Sequence, residues 1–172
     1  MHTKIVYSKR ENANVLLGFA DADFANDKDD RKSISGYSFL IFGNLVSWST
    51  RRQQTVSLSS TEAELISLCQ AAKEGLWLTN LLNELGVDNT SFIIMEDNIP
   101  CIKYTEEPRS HQRMKHLDLK YMFIRELVRN KKLKVEYIST VDQPADAFTK
   151  GLPVAQHRKL LNILNVRIVG RC

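Results

Sequence analysis

Four short acidic stretches recur along this 172-residue chain: Phe19-Ala-Asp21-Ala-Asp23, Ser59-Ser-Thr-Glu62-Ala-Glu64-Leu65, Ile94-Met-Glu96-Asp97-Asn98 and Gln143-Pro-Ala-Asp146. Each lies in apolar or helix-opening sequence, where an unpaired carboxylate is costly to bury, so a cation should meet it. One carboxylate from each stretch, gathered into a single cleft, would make a hard oxygen cage suited to Mg²⁺ or Mn²⁺ and to phosphodiester chemistry.

To bring such residues together the chain must fold as a unit. Its length suits one compact domain, 1–172, and is too short for two comfortable ones. A hydrophobic content of 43% with 26% charged residues is ordinary globular composition, and 7 Gly and 4 Pro leave little room for low-complexity tracts. The formal charge of +4 points weakly to a polyanionic partner. The basic excess is concentrated between Lys103 and Lys134, where Arg109, Arg113, Lys115, Lys120, Arg125, Arg129, Lys131 and Lys132 outnumber the acids. Such a stretch reads either as a phosphate-facing stripe or as a solvated helix face.

Cys69, Cys101 and Cys172 are odd in number and far apart, with no Cys-x-x-Cys pair, which points to a reducing compartment. His111 and His116 lie near Cys101 in sequence, but a zinc site needs more ligands than these. No signal peptide is legible and no apolar run approaches the roughly 20 residues needed to span a bilayer, so an intracellular, cytoplasmic protein without membrane contact is expected.

The elements that must position the acids follow from periodicity. Val15–Phe24, Gly36–Phe42 and Leu45–Ser49, the last two separated by the turn signal Gly43-Asn44, read as a three-stranded antiparallel meander. Ser59, Ser60 and Thr61 are candidate caps for a helix whose apolar positions recur from Leu65 to Leu82 and which Gly86 stops. Phe92–Met95 is the fully apolar run of a central parallel strand, followed by a short helix through Tyr104. Leu117–Val128 is an amphipathic helix, Lys134–Ile138 alternates as a strand, and helices begin near Ala145 and Val154. The fold class is therefore α/β: a five-stranded mixed sheet, three antiparallel strands and then two parallel ones, flanked by helices. Asp21 sits on the first strand, Glu64 one turn into the first helix, Asp97 at the end of the fourth strand and Asp146 at the start of a later helix.

This order with those acids resembles ribonuclease H, and the flanking words resemble the ribonuclease H domain of copia-type LTR retrotransposon polyproteins. The words are Asp21-Ala-Asp-Phe-Ala, Asp30-Arg-Lys-Ser-Ile-Ser-Gly-Tyr37, Trp48-Ser, Ser59-Ser-Thr-Glu-Ala-Glu64, Glu74 with Leu76-Trp77-Leu78, Glu96-Asp-Asn98, Lys115-His-Leu-Asp118 with Lys120-Tyr121, and Gln143-Pro-Ala-Asp-Ala-Phe-Thr-Lys150. They cover Gly18 to Leu152.

The resemblance implies a ribonuclease H-like fold and a metal-dependent endonuclease that hydrolyses the RNA strand of RNA/DNA hybrids during reverse transcription. It implies that Asp21, Glu64, Asp97 and Asp146 are both catalytic residues and ligands of two Mg²⁺ or Mn²⁺ ions about 4 Å apart. Asp21 would bridge both ions, Asp146 would help hold the one that activates water, and Glu64 and Asp97 the one that stabilises the departing 3′ oxygen. Asp23 is the alternative ligand on the face of Asp21, and Glu62 is read as a first-turn acid facing exposed backbone N–H groups.

For the hybrid, Ser60, Thr61 and Asn98 are candidates to reach sugar hydroxyls, although Ser60 and Thr61 read equally well as helix caps. Arg31, Lys32, Arg51, Arg52, Lys120 and Lys150 are the candidates for backbone phosphates, and the resemblance favours the phosphate-facing reading of the basic stripe. Three departures from the family pattern stand out: Ile99 after Asp97-Asn98, Gly151 after Phe-Thr-Lys150, and no histidine in Ser139–Pro144, where cellular ribonucleases H carry one.

The segment 1–14 resembles the end of an upstream reverse transcriptase connection, and 153–172 reads as a C-terminal helix and tail. A reverse transcriptase domain of the same polyprotein is thus an expected partner, with virus-like particles an expected setting. A catalytically weak or domesticated nucleic-acid-binding module of the same fold is the competing reading.

Overall fold

The computed structural model describes residues 2–8, 14–106 and 115–169. Arg109, His111 and Arg113, and the side chains of Lys115, His116 and Asp118, lie outside the described residues, and with them part of the basic stripe and both histidines considered for zinc.

The elements in chain order are β1 (His2–Ile5), β2 (Leu16–Asp23), β3 (Ile34–Ile41), β4 (Asn44–Arg52), α1 (Ser60–Glu84), β5 (Phe92–Glu96), α2 (Ile99–Glu106), α3 (Lys115–Arg129), β6 (Leu133–Tyr137), α4 (Asp146–Thr149), α5 (Val154–Ile163) and β7 (Val166–Val169). Five strands form one sheet in the order β4-β3-β2-β5-β6. β2 pairs antiparallel with β3, with Asp21 opposite Gly36, and parallel with β5, with Phe19 beside Met95. β6 continues the parallel half beside β5. The mixed sheet expected from periodicity is the sheet observed.

Local chemistry explains the boundaries. The β3–β4 hairpin closes on two residues, Phe42 and Gly43, both at positive φ (48° and 75°), the backbone of a type I′ turn. At the start of α1 the Ser59 hydroxyl accepts from the Glu62 N–H at 3.2 Å and the Glu62 carboxylate accepts from the Leu58 N–H at 2.8 Å, a capping box displaced by one residue. Its C-terminus closes through Val87 N–H to the Leu82 carbonyl and Gly86 N–H to the Asn83 carbonyl, with Gly86 at φ 79°.

Because strand side chains alternate, the sheet has two covered faces. On one, Leu16, Ala20, Phe39, Phe92 and Ile94 meet α1, α2 and α3 through Leu65, Leu68, Cys101, Ile124 and Leu127. On the other, Phe19 and Leu40 pack with Ala145, Leu164 and Val166, and Ile5, Phe148 and Leu161 lie against them.

Two strands were not expected. β1 pairs antiparallel with β7 in a small second sheet, so the segment read as an upstream remnant and the one read as a tail are joined. At four residues each they are too short for periodicity to reveal, and their pairing spans nearly the whole chain. Among the described residues no helix is long and apolar enough to cross a membrane.

One glycine positions the site. A Cβ on Gly36 would stand 2.6 Å from the Thr149 methyl and 3.1 Å from the Phe148 Cβ, so α4 rests directly on bare strand backbone opposite Asp21. Gly36→Ala is expected to lift α4 and cost about 1–3 kcal/mol by overpacking, read as a lower urea midpoint. An unchanged midpoint would mean that α4 is not seated on that glycine.

Candidate metal centre

Four elements deliver carboxylates to one end of the sheet. Asp21, on β2, is fully buried, and its Oδ1 accepts from the Lys150 ammonium at 3.0 Å. Its Oδ2 accepts from the Thr149 hydroxyl. Asp146, the first residue of α4, accepts from the same ammonium at 2.8 Å. Asp97 follows β5 directly and accepts from the Thr140 hydroxyl at 2.6 Å. Glu64 lies in the second turn of α1 and is buried.

The oxygens fall into two groups whose members lie within 4.8 Å of one another: Asp21, Asp97 and Asp146 in the first, and Glu64, Glu96 and Asp97 in the second. The structure thus brings together the four acids named from sequence, but the acid common to both groups is Asp97, where the family resemblance had Asp21 in the shared place. Asp23 belongs to neither group.

Buried amide and hydroxyl contacts hold this end in register. The Gln143 side chain donates to the Ala20 carbonyl at 2.9 Å and the Met95 carbonyl at 3.3 Å, tying β2 and β5 to the loop that leads into Asp146. The Ser67 hydroxyl donates to the Asp21 carbonyl at 2.7 Å, tying α1 to β2. Ser67 and Thr140 escaped sequence reasoning, and Gln143 and Thr149 stood in a matching word without a role, since the work of a neutral polar residue shows only in the partner it meets. Glu96 escaped it too, although its place gave a clue: it continues the buried alternation Phe92, Ile94.

Crowding shifts the ionisation of these groups. Burial, then the charge of Asp21, raises the Asp146 carboxyl to about 6, with Lys150 offsetting only part of the rise. Burial, followed by the charges of Glu96, Asp21 and Asp97, pushes Glu64 well above the ordinary range. Burial does the same to Glu96. Burial works against the Lys150 ammonium, but Asp21 and Asp146 outweigh it and hold lysine charged.

The other residues named from sequence are placed as follows. Lys150, named for a phosphate, lies between Asp21 and Asp146. Arg52 pairs with Asp27 and Asp30 at 2.8 and 2.6 Å, and Lys32 with Asp30 at 3.1 Å, so both brace the β2–β3 loop. Arg31 lies in that loop at φ 58°, and Arg51 is exposed on β4. Ser59 provides the α1 cap, so the capping role weighed for Ser60 and Thr61 falls to their neighbour. The Asn98 side chain accepts from the Cys101 N–H at 2.9 Å and starts α2. Lys120 is half-buried on α3.

These donors fit divalent ions. Every donor is a hard oxygen, one group already encloses an ammonium, and in the other the Oε2 atoms of Glu64 and Glu96 are buried without a hydrogen-bond partner.

No protein-family model matches the chain. It is 42% identical over 139 residues to the retrovirus-related Pol polyprotein from transposon TNT 1-94 of Nicotiana tabacum, a match covering 81% of this chain and 10% of that protein. It is 40% identical over 148 residues to the Pol polyprotein from transposon RE1 of Arabidopsis thaliana, covering 86% of this chain and 10% of that one. The chain spans about a tenth of the length of these curated relatives.

Among solved structures, RNase H1 from Halobacterium salinarum NRC-1 matches with a TM-score of 0.58 at 13% identity, covering 78% of this chain and 93% of that one. LC11-RNase H1, solved in complex with an RNA/DNA hybrid, matches with a TM-score of 0.58 at 12% identity and the same coverage, 78% and 93%. Prototype foamy virus protease-reverse transcriptase matches with a TM-score of 0.56 at 12% identity, covering 93% of this chain and 22% of that one. The fold is that of ribonuclease H.

A carboxyl whose pKa rises on folding stabilises the fold while protonated. The contribution of Asp146 is therefore whole below the ordinary aspartate value of 3.8 and is lost as pH rises through about 6. Glu64 and Glu96, also pushed up by burial, act in the same direction. In EDTA the melting temperature is expected to fall as pH rises from about 4 through about 6, and Mg²⁺ or Mn²⁺ to restore most of it at the upper end. A melting temperature that rises across that window in EDTA would contradict this electrostatic account.

Proposed function

The chain is a homologue of copia-type retrotransposon Pol polyproteins with a ribonuclease H fold, and from that premise we propose that it is a metal-dependent endonuclease that hydrolyses the RNA strand of RNA/DNA hybrids during reverse transcription. The observation that carries this reading is the convergence of Asp21, Glu64, Asp97 and Asp146, from four separate elements, at one end of the sheet. When bound, two Mg²⁺ or Mn²⁺ ions supply an activated water and stabilisation of the departing 3′ oxygen.

The residues of the chain prepare that chemistry. Asp21 and Asp146 would hold an ion on the water-activating side and Glu64 and Asp97 one on the leaving-group side, with Asp97 within reach of both groups. Thr149 and Thr140 fix the orientation of Asp21 and Asp97, so those carboxylates need no rearrangement when an ion arrives. Lys150 offsets part of the charge of Asp21 and Asp146, and its side chain is 30% exposed, which would leave it open to turn toward a phosphate if ions took its place.

Substrate selection falls to the rim. With Ser59 as the cap, the hydroxyls of Ser60 and Thr61 stand at the mouth of α1, one turn from Glu64, where a ribose 2′-hydroxyl can be read. Arg51 on the exposed part of β4, Arg31 in the adjoining loop and Lys120 on α3 supply cations for phosphates. The solved hybrid complex of LC11-RNase H1 supports this class of substrate, and the foamy virus protease-reverse transcriptase and the Pol polyprotein relatives support a neighbouring reverse transcriptase domain within a longer Pol polyprotein.

The test is cleavage of an RNA/DNA hybrid with Mg²⁺ or Mn²⁺, run beside RNA/RNA and DNA/DNA duplexes. Cleavage should be confined to the RNA strand of the hybrid. Asp97→Asn should lower the rate at least about 100-fold, more than the loss of a residue that merely supports a ligand. Cleavage that survives in Asp97→Asn overturns the assignment, and hybrid binding without cleavage in either metal establishes a binding module instead.

A further inference from the structure

We propose that Glu96 is a fifth metal-ligating carboxylate, which completes with Glu64 and Asp97 a three-oxygen cage on the leaving-group side and makes that side the first to fill. The inference rests on the metal-centre reading above.

The position itself is the first observation. Phe92, Ile94 and Glu96 are successive inward residues of β5, exposed by 1%, 0% and 0%, and the first two meet α1 in the apolar core. An acid in the third place has no solvent to stabilise it. Its Oε1 accepts from the Asn98 N–H at 3.1 Å, but its Oε2 is buried with no partner, and an unmade hydrogen bond to a charged group is costly.

The surroundings are the second observation. The nearest acids are Glu64 on α1, whose own Oε2 is buried and unpartnered, and Asp97 after the strand. Cys101, a further buried ionisable group that these charges reach, offers no positive charge, and Lys150 acts on Glu64 only through space, less than burial or the neighbouring acids do. Among the described residues no ion pair reaches Glu64 or Glu96, and the ammonium of Lys150 is committed to Asp21 and Asp146. Glu64, Glu96 and Asp97 each bring a carboxylate oxygen to within 4.8 Å of the others, and among the described residues no ammonium or guanidinium pairs with Glu64 or Glu96. A divalent ion with oxygen ligands at about 2.0–2.6 Å would satisfy all three.

The two halves of the centre differ accordingly. The Asp21 and Asp146 half holds a built-in cation that an entering ion must displace. The Glu64 and Glu96 half has no paired cation among the described residues, so its carboxylates depend on an external ion to stay ionised. This asymmetry, Lys150 in one half and Glu96 in the other, orders the filling of the sites.

The test is titration of the full metal-free chain with Mn²⁺, followed by calorimetry and by the electron paramagnetic resonance of free Mn²⁺, for the unaltered chain, Glu96→Gln, Glu96→Met and Asp97→Asn. Glutamine keeps the length and the acceptor for the Asn98 N–H, and methionine fills a core position. Both variants should fold in EDTA and melt no lower than the unaltered chain, while affinity at the tighter site falls about tenfold or more. Unchanged affinity in Glu96→Gln with a loss in Asp97→Asn overturns the role of Glu96 alone. Unchanged affinity in all three overturns the metal centre. Failure of both Glu96 variants to fold overturns the proposal as well, because the carboxylate would then be structural without metal.

Discussion

Mutual repulsion among buried carboxylates is the constraint around which this molecule is arranged. Asp21, Glu64, Glu96 and Asp146 are each less than a tenth exposed, Asp97 stands between them, and among the described residues one lysine ammonium is paired with the cluster. Such a collection is tolerable only if something positive enters it or if some members keep their protons. Much else can be understood as machinery that holds the acids close in spite of that repulsion. Gln143 ties two strands to the loop before Asp146, Ser67 ties α1 to β2, and Gly36 lets α4 rest against the sheet.

The alternation of β5 then decides how the acids divide. Inward positions of the strand face α1 and outward ones face α4, so Glu96 and Asp97, adjacent in sequence, turn to opposite sides of the sheet end. Asp97 meets Asp21 and Asp146, and still reaches the pair beneath. Glu96 meets Glu64 in the core. Two half-sites with different internal compensation result from one step along a backbone, and an internal ammonium occupies only one of them.

Charge elsewhere is arranged differently. Arg52 and Lys32, named from sequence as phosphate contacts, are engaged with Asp27 and Asp30 in the loop after β2. Exposed pairs of this kind contribute little to stability, but they set the shape of the loop beside the site. Arg125 on α3 lies 5.2 Å over the Tyr121 ring, so part of the basic stripe is also packed. Positive charge counted along a sequence therefore overstates the charge available to a polyanion.

What the sequence by itself determined is the sheet, the principal helices and the set of four acids, because those rest on local rules. Apolar alternation marked the meander, an unbroken apolar run marked β5, a serine-rich cap and Gly86 bounded α1, and flanking words tied each acid to a known pattern. Tertiary structure alone decided what depends on partners distant in the chain. The β1 and β7 pairing joins residues more than 160 positions apart. Lys150 turns inward because two acids from different elements offer it a counter-charge there. Asp97 becomes the shared acid and Glu96 a buried one because a strand points successive side chains to opposite faces, and only the packed sheet shows which oxygens then meet.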